Sequence, residues 1–333
     1  MINYFNQSYK YEVMNLIQEE LATEIDEVEK HLNFIEKLKD DISCNSSNLA
    51  YYQSQSRKRF EYNSMIIALY GIVEKYTEKI IKKYLEEIEA IFIVYDDVNP
   101  KIKEKHFELS IQLLSKVIDG RNKKYDNIRK EDIILNLNNC MNKSSQFMFN
   151  KDAFILNSGN IHHQKICEYF NNLNINMDQE IRMHHDFHLK TENLFNKLYE
   201  LTQRRNEIAH GSSSDILNSS EITPFIVFLK KYFYAIISIL QNRITYEANS
   251  YKINNGIYID KFQIYSSGLV GLFGGAKWNL SIGGEIIIKK ADGKIESSKI
   301  TSVRKFEDSN DVCIKIDKKI SQKSLLYIYD KKQ

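Results

Sequence analysis

The chain has little proline and few cysteines. Its 333 residues include 2 prolines and 4 cysteines. The prolines, Pro100 and Pro224, leave most of the first 250 residues free to be helical. The cysteines are widely scattered without C-x-x-C spacing, which argues against a disulfide framework or a zinc knuckle and favours free thiols in a reducing compartment.

The chain also lacks a long, uninterrupted apolar run. Its most apolar stretch, residues 224–240, contains Lys230 and Lys231 and is shorter than the roughly 20 residues that span a bilayer. The N-terminus begins Met1-Ile2-Asn3-Tyr4-Phe5, without the basic and apolar regions of a signal peptide. We therefore expect a cytoplasmic protein that does not associate with membranes.

Glycine and charge are unevenly distributed. Eight of the 12 glycines lie at Gly256 or later, which predicts a domain boundary near residue 250. From Tyr251 onward, 15 Lys and Arg oppose 9 Asp and Glu, so this part carries +6, although the whole chain carries only +2. The sequence therefore predicts a helical domain over 1–250 and a small, basic domain over 251–333 that is the better candidate for facing a polyanion.

Apolar residues at helical spacing predict the elements of the first domain. The last helix is expected to start with Thr223 as N-cap and Pro224 in its first turn. The predicted helices cover about 10–40, 57–90, 104–118, 130–141, 161–173, a stretch from about Thr191 through residue 210, and about 223–247.

After residue 250 short apolar or alternating runs predict strands. The segment Ala291-Asp292-Gly293-Lys294 is typical of a hairpin turn. We expect an all-β barrel or sandwich of five to seven strands. The predicted strands cover 256–259, 262–265, 285–289, 299–304, 312–316 and 325–329.

The segment Arg204-Arg205-Asn206-Glu207-Ile208-Ala209-His210-Gly211 is the main candidate for chemistry. His titrates near neutrality and can transfer protons, and Arg offers a permanently charged fork that matches phosphate oxygens. Asn206 and His210 are four residues apart and therefore share a helix face. Arg205 and His210 diverge by about 140° on a straight helix. Either the helix breaks before His210, or two copies of the motif meet across a twofold axis.

The motif and its position near a helix end, within a helical domain, resemble the HEPN superfamily of ribonucleases. The stretch Met65-Ile66-Ile67-Ala68-Leu69-Tyr70-Gly71-Ile72-Val73-Glu74 is similar to the second core helix of that superfamily. In many members of that superfamily, an acidic or polar residue at the position that corresponds to Glu74 faces the Arg and His of the motif. The resemblance covers roughly residues 55–245 and leaves the first helix and the β domain unexplained.

The resemblance implies a metal-independent endoribonuclease that needs no cofactor and leaves 2′,3′-cyclic phosphate and 5′-hydroxyl ends. His210 would be the general acid/base, and Arg205 would stabilise phosphate charge. Asn206 would position the imidazole or the phosphate, and Glu74 would be a supporting polar group of the site. It also implies a homodimer with a composite site, acting on tRNA or mRNA in antiviral defence or a toxin-like stress response, with a regulatory or antitoxin protein as a possible partner. The alternative is a non-catalytic HEPN module that binds RNA or a partner protein.

Three further patterns have competing interpretations. The segment Met183-His184-His185-Asp186-Phe187-His188 could hold a metal through His184 and His188 on one helix face, but a polar junction between helices is favoured and no metal is predicted. His162-His163 is interpreted as a helix start, and Gly271 to Gly275 as tight turns rather than a phosphate loop. Basic and aromatic residues of the β domain could bind RNA, or could be ordinary strand edges. The basic residues predicted to bind RNA are Lys289, Lys290, Arg304 and Lys305 of this domain, together with Arg204 of the motif. The aromatic residues are Phe262, Tyr265, Phe273 and Trp278.

Overall fold

The chain divides into two compact units, Met1–Gln241 and Asn242–Gln333. A computed structural model describes residues 7–42, 53–121, 123–142, 147–156, 159–187, 194–211, 216, 218–265, 269–306 and 309–329. These residues form eight α-helices and seven β-strands, which confirms the predicted helical domain followed by a small all-β domain. Cys44 and the predicted helix start at Thr191 lie outside the described residues.

The first unit is a helical bundle. Its last helix, α8, continues across residue 241 into the second unit. The helices are α1 Gln7–Ile42, α2 Gln55–Ile91, α3 Pro100–Asp119, α4 Lys130–Met141, α5 His163–Asn172, α6 Met177–Met183, α7 Asn196–Ala209 and α8 Ser219–Asn254.

The central element of the bundle is α2. The Oγ of Ser54 accepts a hydrogen bond from the backbone N–H of Arg57 and caps the N-terminus of this helix. Both α1 and α7 pack against α2, which is why its buried residues include large aromatic and branched side chains. Among those with almost no exposed surface are Tyr62, Leu69, Tyr70, Val73, Tyr76, Ile80, Ile81 and Tyr84.

The start of α8 differs from the prediction. The helix begins at Ser219, and Pro224 lies inside it, so Thr223 is not the N-cap. The backbone N–H of Asn218 donates to Oε2 of Glu221 at 2.8 Å, and the carbonyl of Asn218 accepts the first helical hydrogen bond. This is one half of a capping box. It adds one turn before Pro224, where the missing N–H costs the helix a single hydrogen bond.

By length and composition α8 could cross a membrane, but half of its most apolar window is buried within the protein. Its residues Phe225, Ile226, Leu229, Tyr232 and Phe233 have at most 1% exposed surface. This burial is that of a core helix.

The second unit contains a seven-stranded antiparallel, barrel-like sheet in the order β1-β7-β4-β5-β6-β3-β2. The longest strand, β5, pairs with β4 through its first half and with β6 through its second, and its register shifts between Ile300 and Ser302. Such an irregularity bends a strand and lets it pair in both parts of the sheet. The strands are β1 Ile257–Ile259, β2 Phe262–Ile264, β3 Leu269–Leu272, β4 Glu285–Lys289, β5 Ile295–Lys305, β6 Val312–Ile316 and β7 Leu325–Ile328.

Strand β3 is the one strand in the described residues that the sequence did not predict. It contains Gly271, and a Cβ at that position would lie 2.8 Å from the ring of Tyr265. Glycine here permits the ring to cover the strand, although in the sequence it is typical of a turn. The hairpin between β4 and β5 is confirmed: Gly293 has φ of 84° and the N–H of Lys290 donates to the carbonyl of Lys294.

Candidate active site

The motif is carried on α7, which packs against α2. The Oγ1 of the buried Thr202 shares its one proton between the carbonyl of Leu198, at 2.8 Å, and the carbonyl of Ile161, at 3.1 Å. The N–H of Ile161 donates in turn to the hydroxyl of Tyr70 on α2 at 2.8 Å. The backbone of Ile161 therefore connects the two helices through buried polar groups, which fixes how α7 sits on α2.

Helix α7 ends one residue before His210. His210 has φ of −90° and ψ of 0°, and its N–H still donates to the carbonyl of Asn206 at 2.9 Å. Gly211 follows in the left-handed region with φ of 69°, a conformation that favours glycine and ends the helix. The helix therefore ends before His210, as in the first of the two predicted alternatives, and the meeting of two copies of the motif across a twofold axis stays a prediction. The imidazole of His210 is exposed.

Arg205 and Asn206 face α2 more closely than His210 does. Both side chains are half-buried, and Nη1 of Arg205 donates to Oδ1 of Asn206 at 3.3 Å. The guanidinium of Arg205 lies 5.0 Å from the centroid of the Tyr70 ring, within cation–π range. This contact fixes the position of the permanent positive charge while leaving it partly open to solvent.

Tyr70 connects the motif to Glu74, which lies one turn further along α2. Tyr70 and Glu74 share a face of α2, and the Glu74 carboxylate lies close enough to act on the Tyr70 phenol through its charge. Burial raises the pKa of the Tyr70 phenol, the negative charge of Glu74 raises it further, and Arg205 opposes that rise. The structure thus brings Glu74, Tyr70, Arg205 and Asn206 together.

The two lysines that follow Glu74 on α2, Lys75 and Lys79, form ion pairs with residues other than Glu74. Lys75 forms an ion pair with Glu24 of α1, and Lys79 forms one with Glu20 of the same helix. Tyr70 itself was not singled out from the sequence, where it stands among core residues. Its position four residues before Glu74 was the one available signal, because residues at that spacing share a helix face.

Arg204 is held differently from its neighbour. Its Nε and Nη2 donate to Oε1 of Glu200 at 3.0 and 2.9 Å, and its Nη1 donates to the Tyr62 hydroxyl at 3.2 Å. These contacts direct its guanidinium toward other side chains of the bundle. RNA binding by Arg204 stays a prediction, and the geometry gives this residue a role in fastening α7 to α2.

Histidines 162 and 163 start α5, as predicted. His162 is the N-cap, and its Nδ1 accepts from the backbone N–H of Lys165 at 3.4 Å. The His163 ring lies between the Tyr232 hydroxyl, at 2.8 Å from Nδ1, and Oδ1 of Asp178, at 2.9 Å from Nε2. Burial lowers the pKa of His163, although Asp178 opposes the shift.

The predicted basic residues of the second unit do not form one cluster. Lys290 pairs with Glu296 at 2.9 Å, and Lys290 together with Lys294 lowers the pKa of the Glu296 carboxyl to about 2. The guanidinium of Arg304 lies 5.4 Å from the Phe306 ring. Lys289 ends β4, whereas Lys305 ends β5.

Aromatic residues of this unit partly follow the prediction. Trp278 is wrong as a surface residue: it is 6% exposed and belongs to the barrel core with Ile286, Ile314 and their neighbours. Phe262 and Phe273 do lie together, at a cleft of about 640 Å³. The residues around it include Tyr258, Lys261, Gln263 and Lys323.

The histidine cluster is a turn rather than a helix face. Helix α6 ends at Met183, His184 is its C-cap, and residues 184–187 form a turn. His188 lies outside the described residues. His184 lies after the end of the helix, so the prediction that it shares a helix face with His188 is wrong.

The RiboL-PSP-HEPN family matches residues 19–242. No curated protein and no solved structure matches the chain. The match covers more than half of the 333 residues, and it includes α2, α7 and the motif from Arg204 to Gly211. The seven-stranded sheet lies beyond it. The family match and the placement of the motif agree, and the chain belongs to the RiboL-PSP-HEPN family.

Proposed function

We propose that the protein is a metal-independent endoribonuclease whose site is built from Arg205, Asn206 and His210 of α7 with Glu74 of α2. The observation that carries the proposal is the placement of these groups: Arg205 rests on the ring of Tyr70, Glu74 lies one turn after Tyr70 on α2, and His210 stands exposed just past the helix end. An exposed imidazole and a fixed cation on the last turn of the same helix are the groups needed to cut a phosphodiester that approaches from solvent.

The division of labour follows from the chemistry of each group. His210 exchanges protons with the 2′-hydroxyl or with the leaving 5′-oxygen, because imidazole titrates near neutrality. Arg205 stabilises the charge that develops on the phosphorane. Asn206 accepts from Arg205 and shares a helix face with His210, so it orients both. The products are a 2′,3′-cyclic phosphate and a 5′-hydroxyl.

One motif supplies one imidazole, whereas the reaction needs a group to take a proton and another to return one. A second copy of the chain would provide the second imidazole across a twofold axis. We therefore include homodimerisation in the proposal. The biological setting that fits is cytoplasmic RNA degradation, of tRNA or mRNA, in antiviral defence or a toxin-like response, with a regulatory or antitoxin protein holding the activity in check.

The cleft of the second unit supports a role in RNA recruitment. Its aromatic residues Tyr258 and Phe273 are 47% and 43% exposed and offer stacking surfaces, and Lys261 and Lys323 offer positive charge. Single-stranded nucleic acid is held by this combination of aromatic faces and cations. The proposal adds this cleft to the predicted contacts of Lys289, Lys290, Arg304 and Lys305.

The test is incubation of total tRNA and of mRNA with the protein in EDTA. Wild type and the control His31→Ala, which removes an exposed histidine from α1, should both cleave and leave cyclic phosphate ends. His210→Ala should not cleave. Failure of wild type to cut any RNA, with RNA binding retained, would replace the nuclease with the alternative of a non-catalytic binding module.

A further inference from the structure

A second cluster of chemically active side chains lies outside the proposed ribonuclease site, in the turn that follows α6. It consists of His184, His185 and Asp186, which together present ligand atoms within 4.8 Å of one another. The cluster borders a cleft of about 490 Å³ that is also lined by Ile25, Lys230 and Tyr234.

The separations within the cluster are close to those of a metal coordination shell. The Nδ1 of His184 lies 3.5 Å from Oδ2 of Asp186, and Nε2 of His185 lies 3.6 Å from the same oxygen. In a tetrahedral zinc site with bonds of about 2.0–2.1 Å, neighbouring ligand atoms are about 3.3 Å apart. The two separations from imidazole to carboxylate are thus close to this value, and all three ligand atoms lie within 4.8 Å of one another.

The ligand atoms are in a suitable state to bind a cation. The backbone N–H of Asp186 approaches Nδ1 of His184 at 3.4 Å as a donor, a long contact that a cation at this nitrogen would replace.

The surrounding structure holds the turn in place. The N–H of Phe187 donates to the carbonyl of His184 at 2.8 Å, and the Phe187 side chain is only 2% exposed. The ring of Tyr234 on α8 makes edge contacts with both imidazoles, at 6.0 and 6.4 Å between centroids. Both rings are thus oriented before any ligand arrives, which lowers the entropic cost of binding.

The charges around the cleft are mixed. Lys230 lies at the cleft but is paired with Asp26 and Glu29, at 2.6 Å from each. Lys231 also lines the cleft and opposes a cation, whereas Asp26 favours one. Among the lining groups, the carboxylate of Asp186 is the one that lies against both imidazoles.

We propose that His184, His185 and Asp186 bind a divalent first-row transition metal, with Zn²⁺ as the physiological candidate and water as the fourth ligand. Two imidazoles and one carboxylate suit zinc, nickel and cobalt rather than magnesium or calcium, which prefer oxygen ligands. The site ties down the turn between α6 and the segment that leads to α7. It takes no part in RNA cleavage, and it stands whether or not the protein is a ribonuclease.

The experiment uses the full chain without a histidine tag, stripped with EDTA and then titrated with Co²⁺ and Zn²⁺. We expect one equivalent of Co²⁺ to give the visible absorption of a four-coordinate site and Zn²⁺ to displace it. Zinc should also raise the melting temperature, because a ligand that binds only the native state stabilises it. His184→Ala and Asp186→Asn should each lower the affinity by more than about tenfold, as loss of a ligand does.

His31→Ala is the matched control, and it should bind as wild type does. His185→Ala alters a side chain that is 69% exposed, so it tests the site without disturbing the bundle, and it should also lose affinity. Absence of binding to wild type, or affinities in the three cluster variants equal to that of His31→Ala, would overturn the proposal. Cleavage of RNA in EDTA is a separate measurement and depends on His210 alone among these positions.

Discussion

The guanidinium of Arg205 lies 5.0 Å from the ring centroid of Tyr70. This contact joins the motif helix to the central helix of the bundle, and the hydroxyl of the same tyrosine accepts a hydrogen bond from the backbone N–H of Ile161. The position of the positive charge of Arg205 therefore depends on a residue that is itself buried.

The Tyr70 hydroxyl should contribute to stability. Tyr70→Phe keeps the ring under Arg205 but leaves the buried N–H of Ile161 without its acceptor, so we expect the free energy of unfolding to fall by about 1–3 kcal/mol. Urea denaturation measures it. The matched control is Tyr62→Phe, which removes a 3.2 Å hydrogen bond from Arg204, a residue that keeps Glu200. Equal losses in the two variants would contradict this role for Tyr70.

Arg205 should be needed as a guanidinium and not only as a charge. Arg205→Lys retains the positive charge and loses the planar fork, so kcat should fall about 10- to 100-fold, in line with charge-assisted hydrogen bonds of about 1.5–3 kcal/mol. Single-turnover cleavage in EDTA measures the change. Arg59→Lys, an exposed position on α2, is the control. Full activity in Arg205→Lys would remove Arg205 from the reaction.

His106 should make the stability of the fold depend on pH. Its ring is fully buried, with Nδ1 at 3.0 Å from the Tyr95 hydroxyl and Nε2 accepting from the N–H of Asn150. Burial lowers the pKa of His106 from 6.5 to about 4. Between pH 6.5 and about pH 4, the His106 imidazole is therefore protonated in the unfolded chain but neutral in the folded one. The contribution is fully present above pH 6.5 and is lost as pH falls toward 4.

The size of this contribution is roughly 3 kcal/mol, because each pKa unit corresponds to about 1.4 kcal/mol. Urea denaturation of wild type and His106→Gln at several values of pH measures it. The variant should be less stable at neutral pH, and its stability should fall less on acidification. Parallel pH profiles for the two proteins would contradict the assignment.

The cleft of the second unit should bind single-stranded RNA. Phe273→Ala should weaken binding by about tenfold, since stacking of a base on an aromatic ring is worth about 1–3 kcal/mol. Lys261→Glu should weaken binding and reduce its salt dependence. Fluorescence anisotropy with the cleavage-deficient His210→Ala protein measures both. Lys315→Glu, an exposed position on β6, is the control, and an unchanged affinity in Phe273→Ala would remove the cleft from RNA binding.

Much of the fold could be predicted because its limits are set by local signals. Helix α4 and strands β4 and β6 have the predicted bounds, as their apolar patterns end at polar or turn residues. The start of α8 was predicted at the wrong place because Thr223-Pro224 is a sequence typical of a helix start. The helix starts earlier, where the side chain of Glu221 accepts a hydrogen bond from the backbone N–H of Asn218. Trp278 was placed on the surface because nothing local distinguishes a core tryptophan from a stacking one.

The site could be predicted only in part. The motif and the chemistry that its residue types suit are visible in the sequence, as is the position of Glu74 on α2. The role of Tyr70 is not, because it arises from the packing of α7 against α2 and from the backbone of Ile161, which is 91 residues away along the chain. Lys290 was predicted to contact RNA, but it forms an ion pair with Glu296. This pairing likewise could not be predicted, because it depends on the register between β4 and β5.

The central claim is that two copies of the motif form one ribonuclease site. Mixing wild type with increasing amounts of His210→Ala protein, allowing subunits to exchange, and measuring RNA cleavage in EDTA tests it most directly. A composite site predicts that activity per wild-type subunit falls as inactive mixed dimers form, so total activity follows the square of the wild-type fraction. Activity that stays proportional to the amount of wild-type subunit would contradict the account, because each chain would then cut RNA on its own.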